Sequence, residues 1–351
     1  MKNIGAYMDK LNHMIIKDIP MADPGPDDVL IRVEYVGICG SDVHYFHDGR
    51  CGSFVLGDEE FMLGHECAGT IVRTGERVCD LKVGDRVCIE PGITCGQCEF
   101  CKSGHYNLCP DVRFLATPPI QGCYERYLVF PANMCFKLPD NVSTRAGALI
   151  EPLAIGMYAA ELGGATVGQT VVILGGGCIG LMTLMACKAC GVSKAIVCDL
   201  EQTRLDKALE LGADIVINGR MQDAVAEIMR LTDGRGADVV YETAGSQATI
   251  RQTPFAVRRG GLIVLVGMAA EEEIPFNFGQ IMAKQVEIKS LFRYVNMFGK
   301  SVSAVASGLI PVEKVVTHEF DLKDIQKAFE ESIYNKANVV KAVIRIPDEN
   351  A

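Results

Sequence analysis

The chain has 351 residues, 49% of them apolar, and 44 acidic against 34 basic side chains give a formal net charge of -10. That length suits two domains with separate cores. The acidic balance, uninterrupted by basic runs, excludes nucleic acid and anionic membrane surfaces as partners. The opening MKNIGAYMDKLNHM lacks an apolar stretch of signal-peptide length and carries Asp9 where one would have to lie, so a cytoplasmic protein is expected.

Along the chain, short strand-like runs at Val29 to Val36, Gly69 to Arg73 and Asp85 to Ile89, separated by Gly, Pro and Asp turns, predict an irregular β-rich domain. Few helical signals precede residue 143. After Glu151 apolar strands alternate with helices at βαβ spacing: strands near Val171 to Leu174, Ala195 to Asp199, Asp214 to Ile217, Asp238 to Glu242, Leu262 to Val266 and Val286 to Ser290. Runs such as VVIL and LIVLV are apolar without alternation, as strands buried on both faces of a parallel sheet must be. The uncharged stretch Val171 to Cys187 is short for a bilayer span and broken by three glycines, so it reads as strand, tight turn and buried helix. The fold class is therefore α/β with a doubly wound parallel sheet. The residues from Leu291 onward are too few for a third domain and should return to the first.

Gly175, Gly177 and Gly180 form G-x-G-x-x-G between the strand VVIL and the helix LMTLMACKAC. In that context the pattern is a dinucleotide fingerprint: turn, close approach to pyrophosphate, and helix–strand packing. Cys178 and Ile179, inside the motif, are cofactor-binding candidates with the glycines, and the helix start that follows offers free N–H groups to phosphate. Asp199, nineteen residues after Gly180, ends the second strand, where a carboxylate can accept from the adenosine ribose hydroxyls or cap the next helix. Its charge repels a 2′-phosphate, so NAD is expected over NADP, with Arg204 one turn on able to soften the preference.

Of fifteen cysteines, Cys95, Cys98, Cys101 and Cys109 fall within fifteen residues, with Gly96 and Gly104 letting the loop fold round a centre. Four thiolates on one polar loop suit a closed, structural zinc site. An iron–sulfur cluster is the rival, but the ferredoxin run places its last cysteine after three residues and here seven intervene. A second set is dispersed: Cys39 in GICGSDVH, His65 and Glu66 in LGHE, and Glu151 in IEPLA. These residues could supply the three ligands and open position of a catalytic zinc.

GICGSDVHYF, LGHECAGTI, VGDRVCIEPG, the four-cysteine loop, ATPP, ALIEPLA, GGGCIG and LFRYVN together resemble the zinc-containing medium-chain dehydrogenases, and within them the sorbitol and xylitol (polyol) dehydrogenases. The resemblance implies a Rossmann NAD-binding domain (154–290) inserted into a β-rich, GroES-like catalytic zinc domain (1–153 plus 291–351), assembled as a homodimer or homotetramer. It implies that Cys39, His65 and Glu66 hold the catalytic zinc, with Glu151 a direct or water-mediated ligand. Simple alcohol dehydrogenases carry a second cysteine where Glu151 stands, which speaks for the polyol branch. Ser41 and His44 match a proton relay, and His44 could alternatively hydrogen-bond the cofactor. Phe114, Thr117, Arg293 and Tyr294 match the polyol pocket, with Tyr45 a further candidate. The implied reaction is zinc-assisted hydride transfer from a secondary alcohol of a small polyol to NAD. Butanediol and threonine dehydrogenases share the Glu-bearing site and are the alternatives within the class; a metal-loaded redox or sensing module is the alternative outside it.

Overall fold

The structure, a computed structural model, describes residues 2–348. Two compact units emerge: one from the residues up to Glu151 together with those from Phe298 onward, and a second from Pro152 to Met297.

The first unit is built on a 7-stranded sheet in the order Cys135–Lys137, Arg86–Ile89, Glu66–Thr74, Asp28–Gly37, Ala342–Arg345, His318–Asp321, with Tyr127–Pro131 also paired to Asp28–Gly37. Asp28–Gly37 is the hub. Its first half pairs antiparallel with Tyr127–Pro131 and its last residues with Ala342–Arg345, while Glu66–Thr74 runs antiparallel along its other edge. The core mixes both chain ends: Ala6, Val33, Phe46, Leu63 and Tyr124 cluster with Phe329 and Ile344. The residues from Phe298 onward group with the first unit, whereas 291–297, expected with them, group with the second.

One element had no clear signal in the sequence. Gly40–Asp48 is a nine-residue α-helix. Its glycine, serine and aspartates favour turns in isolation, but Asp42, Tyr45 and Phe46, at helical spacing, are its buried residues. Packing against the first unit's core outweighs weak propensity here.

The second unit holds a 6-stranded parallel sheet in the order Ile215–Asn218, Lys194–Asp199, Thr170–Leu174, Ala237–Glu242, Val257–Leu265, Glu287–Ser290. All six strands foreseen from apolar runs are present. Val171, Val172, Ile173 and Leu174 are each 0% exposed, each side chain contributing about 1.5–3 kcal/mol by leaving water. Val257–Leu265 begins earlier than the run LIVLV suggested, because Val257 pairs with Ala237 across a register shift that accommodates polar VRRGG. The uncharged stretch resolves as the strand Thr170–Leu174 and the helix Cys178–Ala189, buried from Gly180 to Cys187. Among the described residues no helix is long and apolar enough to cross a membrane.

Candidate active site and metal centres

The strand Asp28–Gly37 delivers the chain to Cys39, the residue that precedes the helix Gly40–Asp48. His65 stands directly before the strand Glu66–Thr74, whose first residue pairs with Gly37. Two neighbouring strand ends thus bring together residues far apart in sequence. The Cys39 Sγ, a His65 ring nitrogen and a Glu66 carboxylate oxygen lie within 4.8 Å of one another, and His65 and Glu66 are buried. Gly37 makes room: a Cβ there would lie 1.9 Å from Glu66 Oε2.

Two residues that the sequence did not single out complete the surroundings. Asp42, 0% exposed, accepts from the Cys39 and Gly64 amides at 2.9 Å each, and its Oδ1 lies 3.7 Å from His65 Nδ1. Burial pushes the Asp42 carboxyl up, opposed by His65 and those two amides. Lys341, also buried, pairs with the Glu66 carboxylate and donates to the Ile38 carbonyl at 2.8 Å. Asp42 stands three residues after Cys39, a capping-box position that is recognisable only once the helix is known. Lys341, heading the strand Ala342–Arg345, carried none.

Burial works against a charged His65, yet the Cys39 and Asp42 charges outweigh it, with Glu151 adding to them, and hold its pKa well above the ordinary value. Sulfur, imidazole and carboxylate donors gathered under an excess of negative charge fit a divalent cation of borderline softness.

Of the other first-unit candidates, Glu151, second residue of the helix Ile150–Leu162, is buried and acts on His65 through its charge, but is not in the three-residue donor group. The Phe114 ring stands 5.6 Å from the His65 ring, and Thr117 donates its amide to the Phe114 carbonyl at 3.1 Å. Ser41 is the second residue of Gly40–Asp48, where His44 is exposed with Nδ1 3.2 Å from Asp48 Oδ2. Tyr45 is 3% exposed and packs on Phe61.

Cys95, Cys98, Cys101 and Cys109 also place their sulfurs within 4.8 Å of one another. Amides of Cys95, Cys98 and Cys101 donate to the sulfurs of Cys109, Cys95 and Cys98, each at 3.4 Å. Such donors, Gln97 N–H first, pull the Cys95 thiol down to about 7. Four sulfur donors this close together could hold a metal ion, and the donor set suits a closed zinc site.

In the second unit, Gly175 has φ 112° and a Cβ at Gly180 would lie 1.9 Å from the Gly175 carbonyl, so the fingerprint turn admits no side chain at either position. Gly177 precedes the helix that Cys178 and Ile179 begin. Asp199 accepts from Gly176 N at 2.6 Å and Glu201 N at 2.9 Å, with Arg204 Nη1 3.8 Å away. Tyr294 is buried, and the Arg293 guanidinium lies 4.8 Å over the Phe292 ring. A polar groove of about 540 Å³ opens at the opposite, N-terminal end of this sheet, lined by Gln169, Asp238, Arg258 and Glu287, and holds none of these residues.

Fold and clusters together define an oxidoreductase that works with zinc and a nicotinamide dinucleotide. Comparison with known proteins makes the family specific. The alcohol dehydrogenase GroES-like domain matches residues 25–140 and the zinc-binding dehydrogenase domain residues 178–307. The chain is 47% identical to an uncharacterized zinc-type alcohol dehydrogenase-like protein of Escherichia coli (strain K12), covering 99% of this chain and 100% of that one. It is 43% identical to sorbitol dehydrogenase of Bacillus subtilis (strain 168), covering 97% and 96%. A solved E. coli oxidoreductase of unknown specificity superposes with a TM-score of 0.96 at 47% identity, covering 99% of this chain and 100% of that one. Two structures at 28% identity, covering 98% of this chain and 99% of each, carry cofactor: a Sinorhizobium meliloti 1021 zinc-binding dehydrogenase bound to NADP (TM-score 0.91) and an E. coli CFT073 short chain alcohol dehydrogenase with NADH (TM-score 0.90). The chain belongs to the zinc-binding alcohol dehydrogenase family.

Proposed function

We propose that this chain oxidises a secondary alcohol of a small polyol, of the sorbitol or xylitol kind, to the ketose, and prefers NAD. The observation that carries the reading is the Cys39–His65–Glu66 donor set, its His65 and Glu66 buried, with Phe114 beside it. The 43% identity to a sorbitol dehydrogenase supports the substrate class. Zinc held by Cys39, His65 and Glu66 would supply Lewis-acid polarisation of the substrate oxygen, and a dinucleotide held at the glycine fingerprint would supply the hydride acceptor.

The chain's own residues do the rest. Cys39, His65 and Glu66 hold the metal, Glu151 adds negative charge or a water-mediated contact, and Asp42 holds Cys39 and Gly64 in place. Phe114 walls the site on the His65 side. Ser41 takes the hydroxyl proton and His44, open to solvent beside Asp48, releases it to water. Thr117, Tyr45, Arg293 and Tyr294 are the residues that the family pattern assigns to the substrate hydroxyls. Such groups discriminate against simple alcohols, which would leave them unpaired. Asp199, already oriented by Gly176 and Glu201, receives the adenosine ribose, and its charge disfavours a 2′-phosphate. Cys95, Cys98, Cys101 and Cys109 hold the structural zinc.

The domain roles follow: residues 154–290 bind NAD and the two chain ends carry the catalytic metal. A homodimer or homotetramer in the cytoplasm is the assembly we assign, supported by the edge strand Glu287–Ser290, paired on one side only and carrying exposed Ile288, with exposed Met282 and Phe278 on the preceding helix. Turnover of sorbitol, xylitol, 2,3-butanediol and threonine with NAD and NADP, before and after a chelator, tests the reading. Chelator-sensitive NAD reduction by polyols is expected. Activity only with butanediol or threonine would overturn the polyol assignment and leave the metal chemistry standing.

A further inference from the structure

Glu242 ends the strand Ala237–Glu242 with a side chain that is 0% exposed, and the chemistry above makes no use of it. Its Oε1 accepts from the Ala244 and Gly245 amides at 3.0 Å each and from the Thr249 hydroxyl at 2.7 Å. Its main-chain carbonyl accepts from the Val266 and Gly267 amides at 2.8 and 2.9 Å. One residue therefore ties together the turn after its own strand, 243–246, and the turn after the next strand, 266–268. The two turns touch: a Cβ on Gly267 would lie 2.2 Å from Gly245 N and 2.9 Å from Glu242 Oε2. Thr243 extends the link to the fingerprint, its hydroxyl donating to the Leu174 and Gly175 carbonyls at 3.1 and 2.9 Å.

Topology says what these turns serve. The strand order reverses between Thr170–Leu174 and Ala237–Glu242. In such a sheet a dinucleotide lies outside the carboxyl ends of the strands, one mononucleotide half on each side of the reversal. Asp199, at the end of Lys194–Asp199, marks the adenosine side. The nicotinamide half then falls over the turns after Ala237–Glu242 and Val257–Leu265, the two that Glu242 joins.

Resting on the dinucleotide reading, we propose that Glu242 is a positioning residue for the nicotinamide half of the cofactor, its buried carboxyl fixing the main chain of 243–246, which in turn packs on the 266–268 turn held by the Glu242 main-chain carbonyl, so that both turns are set for that half to bind against. Burial pushes the Glu242 pKa up, opposed by Thr249 and the amides it receives. What the two amides and the Thr249 hydroxyl require is an acceptor oxygen at that point, and an amide oxygen should serve.

The test compares binding of NADH with binding of ADP, which carries only the adenosine side, in the zinc-loaded wild-type chain and in Glu242→Ala, Glu242→Gln and Thr249→Val. Glu242→Ala, which strands two backbone donors and a hydroxyl, should weaken NADH roughly tenfold to hundredfold while ADP stays within about twofold. Glu242→Gln retains the acceptor and should recover most of the NADH affinity. Parallel loss of NADH and ADP, unchanged NADH affinity, or a Gln variant as weak as Ala would overturn the proposal. If Glu242→Ala does not fold, Thr249→Val removes one donor and leaves the carboxyl; it must still weaken NADH selectively, and its failure to do so overturns the idea equally. A wild-type chain that binds no NADH would sink the dinucleotide reading instead.

Discussion

The Glu66 carboxylate, one of the three gathered metal donors, is shared with the buried ammonium of Lys341, a residue from the far end of the chain whose other partner is the Ile38 carbonyl. Lys341 and a metal ion compete for the same carboxylate, and each can neutralise it.

Lys341→Met should therefore cost about 3–5 kcal/mol in metal-free protein, because an unpaired charge is left buried. Added zinc should restore more stability to the variant than to wild type, since the freed carboxylate turns to the metal. Denaturant unfolding with and without chelator measures both; an equal deficit in the two conditions would show that Glu66 does not face the metal.

The four-cysteine lobe makes a separate expectation. Cys98→Ser should remove one zinc equivalent per chain and leave the other, because the two donor groups share no residue. Metal binding on such a loop is folding free energy, about 10–16 kcal/mol in small zinc peptides. The lobe around Glu99–Lys102 and Tyr106–Leu108 should then become the first site of proteolytic cleavage. Metal analysis and limited proteolysis decide it.

Asp199 holds the turn and, on our reading, the ribose with one carboxylate. Asp199→Ser should lower kcat/KM for NAD roughly tenfold to hundredfold, through lost acceptors for Gly176 and Glu201 as well as for ribose, and lower it less for NADP. A ratio of the two efficiencies that does not move would remove Asp199 from cofactor selection.

Stability should also fall as pH rises toward neutrality. Burial pushes the Glu125 carboxyl up to about 7, with the Asn3 amide opposing, and does the same to Glu90 against the Tyr106 hydroxyl. The folded state thus holds the proton more tightly than the unfolded chain, whose carboxyls titrate near 4.5. This contribution is complete below pH 4.5 and is lost as pH climbs through about 7. For Glu125 it is at most about 3 kcal/mol, reduced by its partial exposure. Glu125→Gln should flatten the slope of unfolding free energy in that window; an unchanged slope would mean the carboxyl stays ionised in the folded chain.

What could be read from sequence alone was local in the chain. The glycine fingerprint lies between one strand and one helix, the four cysteines share one loop, and the parallel strands announce themselves as unbroken apolar runs, because period and spacing survive without tertiary context. Cys39, His65 and Glu66 were named through motif resemblance; spacing alone could not show that Gly37 and Glu66 pair across two strands. Asp42, Lys341 and Glu242 escaped because a buried charged group has no local signature: its burial depends on partners, and for Lys341 these lie 303 residues away at Ile38. The helix Gly40–Asp48 was missed for the same reason, being held by packing rather than propensity. Sequence determined which chemical groups the protein possesses and where the buried strands of its parallel sheet fall. Tertiary structure decided which of those groups lose water together, and so which carboxylates and amines face each other or a metal, because desolvation is a property of the packed chain.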